Sequence, residues 1–471
     1  MNFDDNAVLV DPREAQRRGR AFRESTPRTS LAHVAERTEP NDPVSLLTAD
    51  SLGRTSALLA LRYERMLLDS LSFFRGAASL QALDLARGPS SGIEVQLCGD
   101  AHLSNFGIFS SPERRQVFDV NDFDHTAPGP FEWDVKRLAS SLVVAGDHLG
   151  LSAREQERAA QRAARKYRTS MLQFARLPRL SVWYADLELD QLVVDLQQYF
   201  SDDDLSRVSS IVDSAVGLSE QRRYAKLIDV HNGHPHIAYH LPVLIPLDKM
   251  IQETERNSLH ELLTHVFSEY RESLAPDMQH LLAQFTPIDA AQKVVGVGSV
   301  GTHCYVILLL GRDENDTFFL QIKEAVKSVL DHARGTTSGL TPGERVVRGQ
   351  RLMQATPDIF LGSHRVIEFE GFERSFYVRQ LFDNKRAIDV ERLDRRSLAS
   401  YGELCGWTLA RAHARSGKPT EIAGYLGNSE KFDDAVVSFA LAYKKRNAKD
   451  FHALQKASAA GRLPLNITFT S

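Results

Sequence analysis

The sequence predicts an α+β protein in which a small β-rich lobe is set against a larger helical lobe. Two observations carry this expectation. Apolar residues recur at three- and four-residue spacing through most of the chain, as amphipathic helices require. Only the block near 290–385 changes texture, to β-branched and aromatic runs separated by turn residues.

Taken in order, residues 1–45 are polar and rich in Arg, Glu and Pro, and read as an extended N-terminal arm. Their basic run, REAQRRGRAFREST, reads as an exposed arm or a solvated helix face ahead of an RNA- or lipid-binding tail. Residues 46–180 begin the helical lobe. SLLTADSLGRTSALLALRYERMLLDSLSFFRGAASLQALDLARG is helical in spacing, GIEVQLCGD alternates as a strand, and RRQVFDVNDFD is a second strand ending in acids. FEWDVKRLASSLVVAGDHLG and AREQERAAQRAARKYRTSMLQFARL follow as helices with Ala-rich and charged faces. Residues 181–289 read as a helical insertion with one hairpin, signalled by Asn232-Gly233 between apolar runs. Its His231, His234, His236 and His240 are split by that turn, which favours a His-rich hairpin over a metal site. Residues 290–390 are the β-rich lobe, broken by a helix over 342–356, and 391–471 return to helix as the rest of the large lobe.

The chain has 471 residues, 42% hydrophobic and 25% charged, with formal net charge −4, so bulk electrostatics point to neither nucleic acid nor membrane. Cys98, Cys304 and Cys405 lie far apart without CxxC spacing, which argues against a disulfide framework or zinc knuckle and fits a reducing compartment. The N-terminus is acidic before it is apolar, the wrong order for a signal peptide. The longest apolar runs are far shorter than a membrane span. The expected location is cytoplasmic.

Three constellations carry chemistry. The first is GVGSVG, with Gly296, Gly298, Ser299 and Gly301; a strand-like run follows it, so the pattern is strand, glycine turn, strand. That arrangement covers ATP phosphates in kinases, whereas the dinucleotide-binding turn opens a helix. The second is Lys323 in FFLQIKEA, flanked by apolar residues on a strand one hairpin beyond the glycines. Such a lysine must snorkel or meet an anion, here the α- and β-phosphates. Glu344, early in the following helix, is a candidate to pair with it, in competition with Glu324 and with an ordinary solvent role. The third is CGDAHLSNFG followed by FDVNDFDH. Asp100 and Asn105 are five residues apart, the spacing of a catalytic base and a metal-binding Asn in H-R-D-x-x-x-x-N loops. Asp122 would supply the further carboxylate for Mg²⁺, with the neighbouring Asp124 as a candidate to share the metals, since Mg²⁺ needs few protein ligands.

The motif GD-x-H-x-x-N-F-G followed by DFD resembles the catalytic and metal loops of the aminoglycoside phosphotransferase and choline kinase group. The resemblance implies a structural role for Asp134, tying the loop down. More closely, FFRGAASLQALDLA, VQLCGDAHLSNFG, FDVNDFDHTAPGPFEWDVKRLA and GVGSVGTHCYVILL look like the bacterial family catalogued as domain of unknown function 2252, over most of the chain. Two departures from ordinary kinases stand out. Cys98 stands where the catalytic-loop His usually stands. The order is also inverted, because Asp100 precedes Gly296, so a protein-kinase-like two-lobe fold here would be circularly permuted. The stretch 401–417, YGELCGWTLARAHARSG, resembles the helix that leads into the catalytic loop of the phosphotransferases, and permutation places its end beside the strand starting at Ile93.

The expected function is an ATP- and Mg²⁺-dependent phosphotransferase acting on a hydroxyl acceptor, with a small molecule preferred over a protein because D-F-G and A-P-E are absent. Asp100 would be the base, Asn105 and Asp122 the metal ligands and Lys323 the phosphate contact. A selenoprotein O-type AMP transferase, whose motif wording is similar, and a non-catalytic nucleotide-binding protein are the alternatives. Arg75, after two aromatics in FFRG, is a weaker candidate phosphate contact, with closure of a helix end as the plain reading.

Overall fold

The structure, a computed structural model, describes residues 11–37, 42–51, 56–186, 227–231, 234–238, 244–247, 266–293, 303–337, 339–367, 373–381 and 386–463. The stretch read as an extended arm is a helix, α1 (Pro12–Ser25), started by Asp11, whose side chain accepts the Arg13 amide, and by Pro12 at the first helical position. Its Gly19 lies against the Glu421 carbonyl, and Arg23 donates to the carbonyl oxygen of Tyr425 at 2.8 Å, so the basic run docks on the C-terminal part of the chain.

The helical part includes α2 (Ser70–Gly76), α3 (Ala78–Arg87), α4 (Glu132–His148), α5 (Ala153–Phe174) and, beyond a helix α6 (Pro342–Met353) that serves the sheet, the long late helices α7 (Arg395–Ser416) and α8 (Lys431–Ala459). A reciprocal cap between Ser152 and Glu155 opens α5. Its buried Ala159, Ala160, Ala163 and Ala164 make a smooth face on which α7 lies close. At Gly406 of α7 a Cβ would collide with the Ala163 carbonyl oxygen, so only glycine permits this approach. Phe131, Tyr167, Tyr425 and Phe432 close the core with ring centroids about 6 Å apart.

Short strands sit at the edge of these helices. β1 (Glu94–Leu97) pairs with β4 (Ala127–Pro130), and β2 (Phe106–Ser110) pairs with β3 (Gln116–Val120), both antiparallel. The end of α7 lies on β1: Ser416 Oγ is 3.5 Å from the Gln96 carbonyl oxygen, and Gly417 abuts the Val95 side chain.

Strands β5 (Ile228–His231) and β6 (His234–Ile237) flank the expected Asn232-Gly233 turn and pair antiparallel. The β-rich part is one six-stranded antiparallel sheet. It contains β7 (Leu244–Pro246), β8 (Thr286–Lys293), β9 (Cys304–Leu310), β10 (Thr317–Ala325), β11 (Gly362–Ile367) and β12 (Glu373–Gln380), in the order β11-β12-β10-β9-β8-β7. β7 lies inside the stretch read as a helical insertion; three residues are too few for periodicity to reveal. The expectations for 187–226, 232–233, 239–243 and 248–265 lie outside the described residues. Strand alternation sorts the sheet faces. Ile307, Leu309, Leu320, Ile322, Phe376 and Val378 pack outward on Phe267, Tyr270, Leu274 and Leu282. Gln321, Lys323, Tyr377 and Arg379 point the other way, and α6 crosses beside them.

Candidate active site

The site is assembled where β1, the β2–β3 hairpin and the sheet meet. Gly99 has φ 89° and lies so close to the His125 carbonyl that a Cβ would collide with it, so CGD needs its glycine twice over. The loop is held from below by Asp134. Its carboxylate accepts the backbone N–H groups of Cys98 at 2.8 Å and Gly99 at 3.2 Å, and His413 Nε2 lies 3.3 Å away. Tyr167 OH in turn meets His413 Nδ1 at 2.9 Å. The Asp134 side chain therefore has the tying role that its motif suggested.

Asp100 stands on this platform. Arg137 Nε donates to its Oδ1 at 2.8 Å, and His102 Nε2 lies 3.7 Å from Oδ2. Burial works to raise the Asp100 pKa, but the Arg137 guanidinium, by its charge and its hydrogen bond, outweighs it and holds the carboxyl below its ordinary range. Burial pushes His102 down to about 3, so its ring stays neutral, with Nδ1 facing the Ser104 amide. Asn105 Nδ2 donates to the Asp100 carbonyl oxygen at 2.8 Å, which ties base and metal candidate into one loop.

Hairpin register brings the second acidic cluster alongside. Phe106 pairs with Val120, and the Asn121 amide donates to the Asn105 carbonyl at 3.0 Å, so Asp122 emerges next to Asn105. Asp122 accepts the Asp124 amide at 3.0 Å and has no ion pair among the described residues. Asp124 is different: its carboxylate pairs with Lys323 Nζ and accepts from Tyr377 OH at 2.7 Å. Burial opposes ionisation of both partners, yet each holds the other charged: Asp124 titrates below the ordinary carboxylate range and Lys323 above the usual lysine range. Arg345 of α6 clamps the same turn through the carbonyl oxygens of Asp124 at 2.9 Å and Val326 at 2.8 Å.

The structure thus brings Asp100, Asn105, Asp122, Asp124 and Lys323 together. Glu344 is not among them. It is exposed and closes the reciprocal cap of α6, accepting the Thr341 amide at 2.9 Å, so its carboxylate is used by its own helix start. Glu324 alternates to the far side of β10 and pairs with His303 and Arg374 at 2.9 and 2.8 Å. The glycine-turn candidates Gly296, Gly298, Ser299 and Gly301 lie outside the described residues. The strands on either side of them pair antiparallel, with Gln292 opposite Tyr305.

Sequence reasoning missed Arg137, Tyr377, Arg379, Arg345 and His125. Tyr377 and Arg379 alternate in SFYVRQ, a pattern that puts both on the face of Lys323. His125 feels both Asp100 and Asp124, and its Nδ1 is buried with no hydrogen-bond partner. Among the described residues no group of three His, Cys, Asp or Glu side chains is placed to hold a metal ion. Asn105 and Asp122 nevertheless suit Mg²⁺, which takes one or two protein ligands and completes its shell with water and phosphate oxygens. No helix among the described residues is long and apolar enough to cross a membrane.

A buried acid loop facing a lysine-bearing antiparallel sheet defines the class of site. The family model described as "Uncharacterized protein conserved in bacteria (DUF2252)" matches residues 54–457, and the chain belongs to that family. No curated protein and no solved structure matches it.

Proposed function

We propose that this protein is an ATP- and Mg²⁺-dependent phosphotransferase acting on a small-molecule hydroxyl, with a circularly permuted kinase-like fold. The observation that carries the reading is the meeting of Lys323 with the Asp124 turn, across 199 residues of sequence, beside Asp100 and Asn105. Kinase sites need this set: a strand lysine for phosphates, an Asn and an Asp for metal, and an Asp at the acceptor. The sheet topology supports it. β8, β9 and β10 form a meander, α6 follows, and β12 returns to lie beside β10. The end of α7 on β1 supports the permutation, because it leads in space toward the Asp100 loop.

In this reading Lys323, with Arg379 on the same sheet face, receives the nucleotide phosphates and exchanges Asp124 for them. Asn105 and Asp122 would hold Mg²⁺, which supplies charge neutralisation at the phosphates. Asp100, oriented by Arg137, takes the proton of the acceptor hydroxyl as its oxygen bonds to the γ-phosphorus. The bond from that phosphorus to the β-phosphate bridging oxygen breaks, leaving ADP. Calorimetry of ATP with magnesium tests the reading on wild type, Lys323→Ala and Asp122→Ala. Binding to wild type that both variants lose is the expected result; absent or undiminished binding rejects it. Pyrophosphate release in place of ADP would assign adenylyl transfer instead.

A further inference from the structure

Register lays out the inner face of the six-stranded sheet in rows. Tyr377, Lys323 and Cys304 stand side by side on β12, β10 and β9, and Lys293 ends β8 on the far side of Cys304. One pleat along, Arg379, Gln321, Val306 and Ala291 form the second row. Kinase strands of the V-A-I-K kind carry alanine two residues before their lysine, whereas this strand carries Gln321, a buried amide. Its Nε2 donates to the Cys304 sulfur at 3.3 Å, and its Oε1 accepts Arg379 Nε at 3.2 Å. Arg379 is thereby held near the Tyr377 ring, 5.7 Å from its centroid. Its two terminal nitrogens make no hydrogen bond or ion pair among the described residues.

A nucleobase needs an open apolar or aromatic surface to lie on. Among the described residues this face offers none. Val306, Ala291, Phe319 and Leu381 are packed with Ile237 of β6 and Leu244 of β7 into one buried cluster. The Tyr377 ring is 2% exposed and lies beneath Lys323 and Arg379. What the face does present is cationic. Lys323 and Arg379 are diagonal neighbours on adjacent strands, about 7–8 Å apart at the backbone, a spacing that successive phosphates of one chain can bridge. The planar fork of an arginine matches a phosphate oxyanion through paired N–H donors. Three carboxylates act on Arg379. Asp124 is paired with Lys323, Asp358 accepts the Phe360 and Gln380 amides at 2.8 and 2.6 Å, and Asp122 accepts the Asp124 amide. Charge is therefore balanced until a divalent ion reaches Asp122, so a polyphosphate is expected to arrive together with magnesium.

We infer that the site recognises its phosphoryl donor by the triphosphate chain and not by the base, with Arg379 as the specificity-determining residue. This rests on the phosphotransferase reading for the donor's role, while the polyphosphate site itself rests on the sheet face alone. The test is calorimetric titration of the full chain with ATP, GTP, inorganic tripolyphosphate and adenosine, each with excess magnesium. On wild type, GTP and tripolyphosphate are expected to bind within about tenfold of ATP, and adenosine not to bind. Arg379→Met is expected to weaken all three phosphate ligands alike, at least about tenfold. Arg379→Lys, which keeps the charge and loses the fork, should fall between. ATP binding more than about tenfold tighter than both GTP and tripolyphosphate overturns the inference and leaves the phosphotransferase reading in place. Adenosine binding, or unchanged tripolyphosphate affinity in Arg379→Met, overturns it equally. If Arg379→Met does not fold, the ligand series on wild type decides by itself. Tripolyphosphate binding without ATP or GTP binding would reject the phosphotransferase reading and keep the polyphosphate site, and binding of none of the four rejects both.

Discussion

Asp119 and Asp124 are five residues apart, and each is buried against a cation from a distant part of the chain, yet they do different things. Asp119 pairs with Arg411 in a sealed setting, where the two side chains are 4% and 1% exposed. It also accepts the Val120 amide at 2.7 Å and the Ala355 amide at 3.1 Å. Asp124 pairs with Lys323, the two side chains being 18% and 5% exposed, and Tyr377 OH donates to the same carboxylate. Burial wins at Asp119 and raises its pKa despite Arg411; at Asp124, Lys323 wins and lowers it. The sealed or closed pair fixes the hairpin to α7, and the partly exposed or open one ties the Asp122–Asp124 turn to β10. Asp119 lies within β3, whereas Asp124 lies four residues beyond the end of that strand, nearer solvent.

The largest effect should come from breaking the closed pair. Arg411→Met leaves Asp119 buried without its cation and should cost about 3–5 kcal/mol of stability, read by urea unfolding. Lys323→Met should cost less, about 1–3 kcal/mol, because Tyr377 and solvent still serve Asp124. The same variant should weaken ATP–magnesium binding at least about tenfold, or ~1.4 kcal/mol, by calorimetry. If the two stability losses are equal, the contrast between closed and open pairs fails.

Acid titration of the chelated protein sharpens the comparison through its sign. Asp124 has a folded pKa below its unfolded one, so its stability contribution is present above about pH 4 and is lost as pH falls toward the folded value. Asp119 has a raised folded pKa, so its contribution is present below about pH 4 and is lost as pH rises through the folded value. Unfolding midpoints measured from pH 6 to pH 3 should therefore fall less steeply in Asp124→Asn than in wild type, and more steeply in Asp119→Asn. The smallest change is expected at Glu344→Ala, which removes half of a helix cap. A loss of about 0.5–1 kcal/mol with unaltered ATP binding would fit a cap, and a tenfold loss of ATP affinity would return Glu344 to the site.

Much of this was legible in the sequence, for reasons that differ residue by residue. The β-rich block and the helices flanking it carry their periods openly. Asp100, Asn105 and Asp122 were found because a short loop and a hairpin preserve their spacing. Lys323 stood out as a charge within an apolar strand. Glu344 misled because an acid three residues into a helix serves equally as a cap and as a site residue, and only tertiary packing decides between them. Arg137, Arg345 and Arg411 were hidden because arginines on helices ordinarily face solvent; nothing local says that these three reach carboxylates or carbonyls far away in sequence. The helix at Pro12 was announced by Asp11-Pro12, but the weight of charge after it suggested an unpacked arm.

The closed pair also sets a clock on the ribosome. Arg411 follows Asp119 by 292 residues. At about 5–20 residues per second, roughly 15–60 s pass between the emergence of the two. During that interval the nascent hairpin holds a carboxylate with no cation to bury it against, so β2 and β3 must wait, hydrated and open to proteases or chaperones, until the last long helices arrive to close over them.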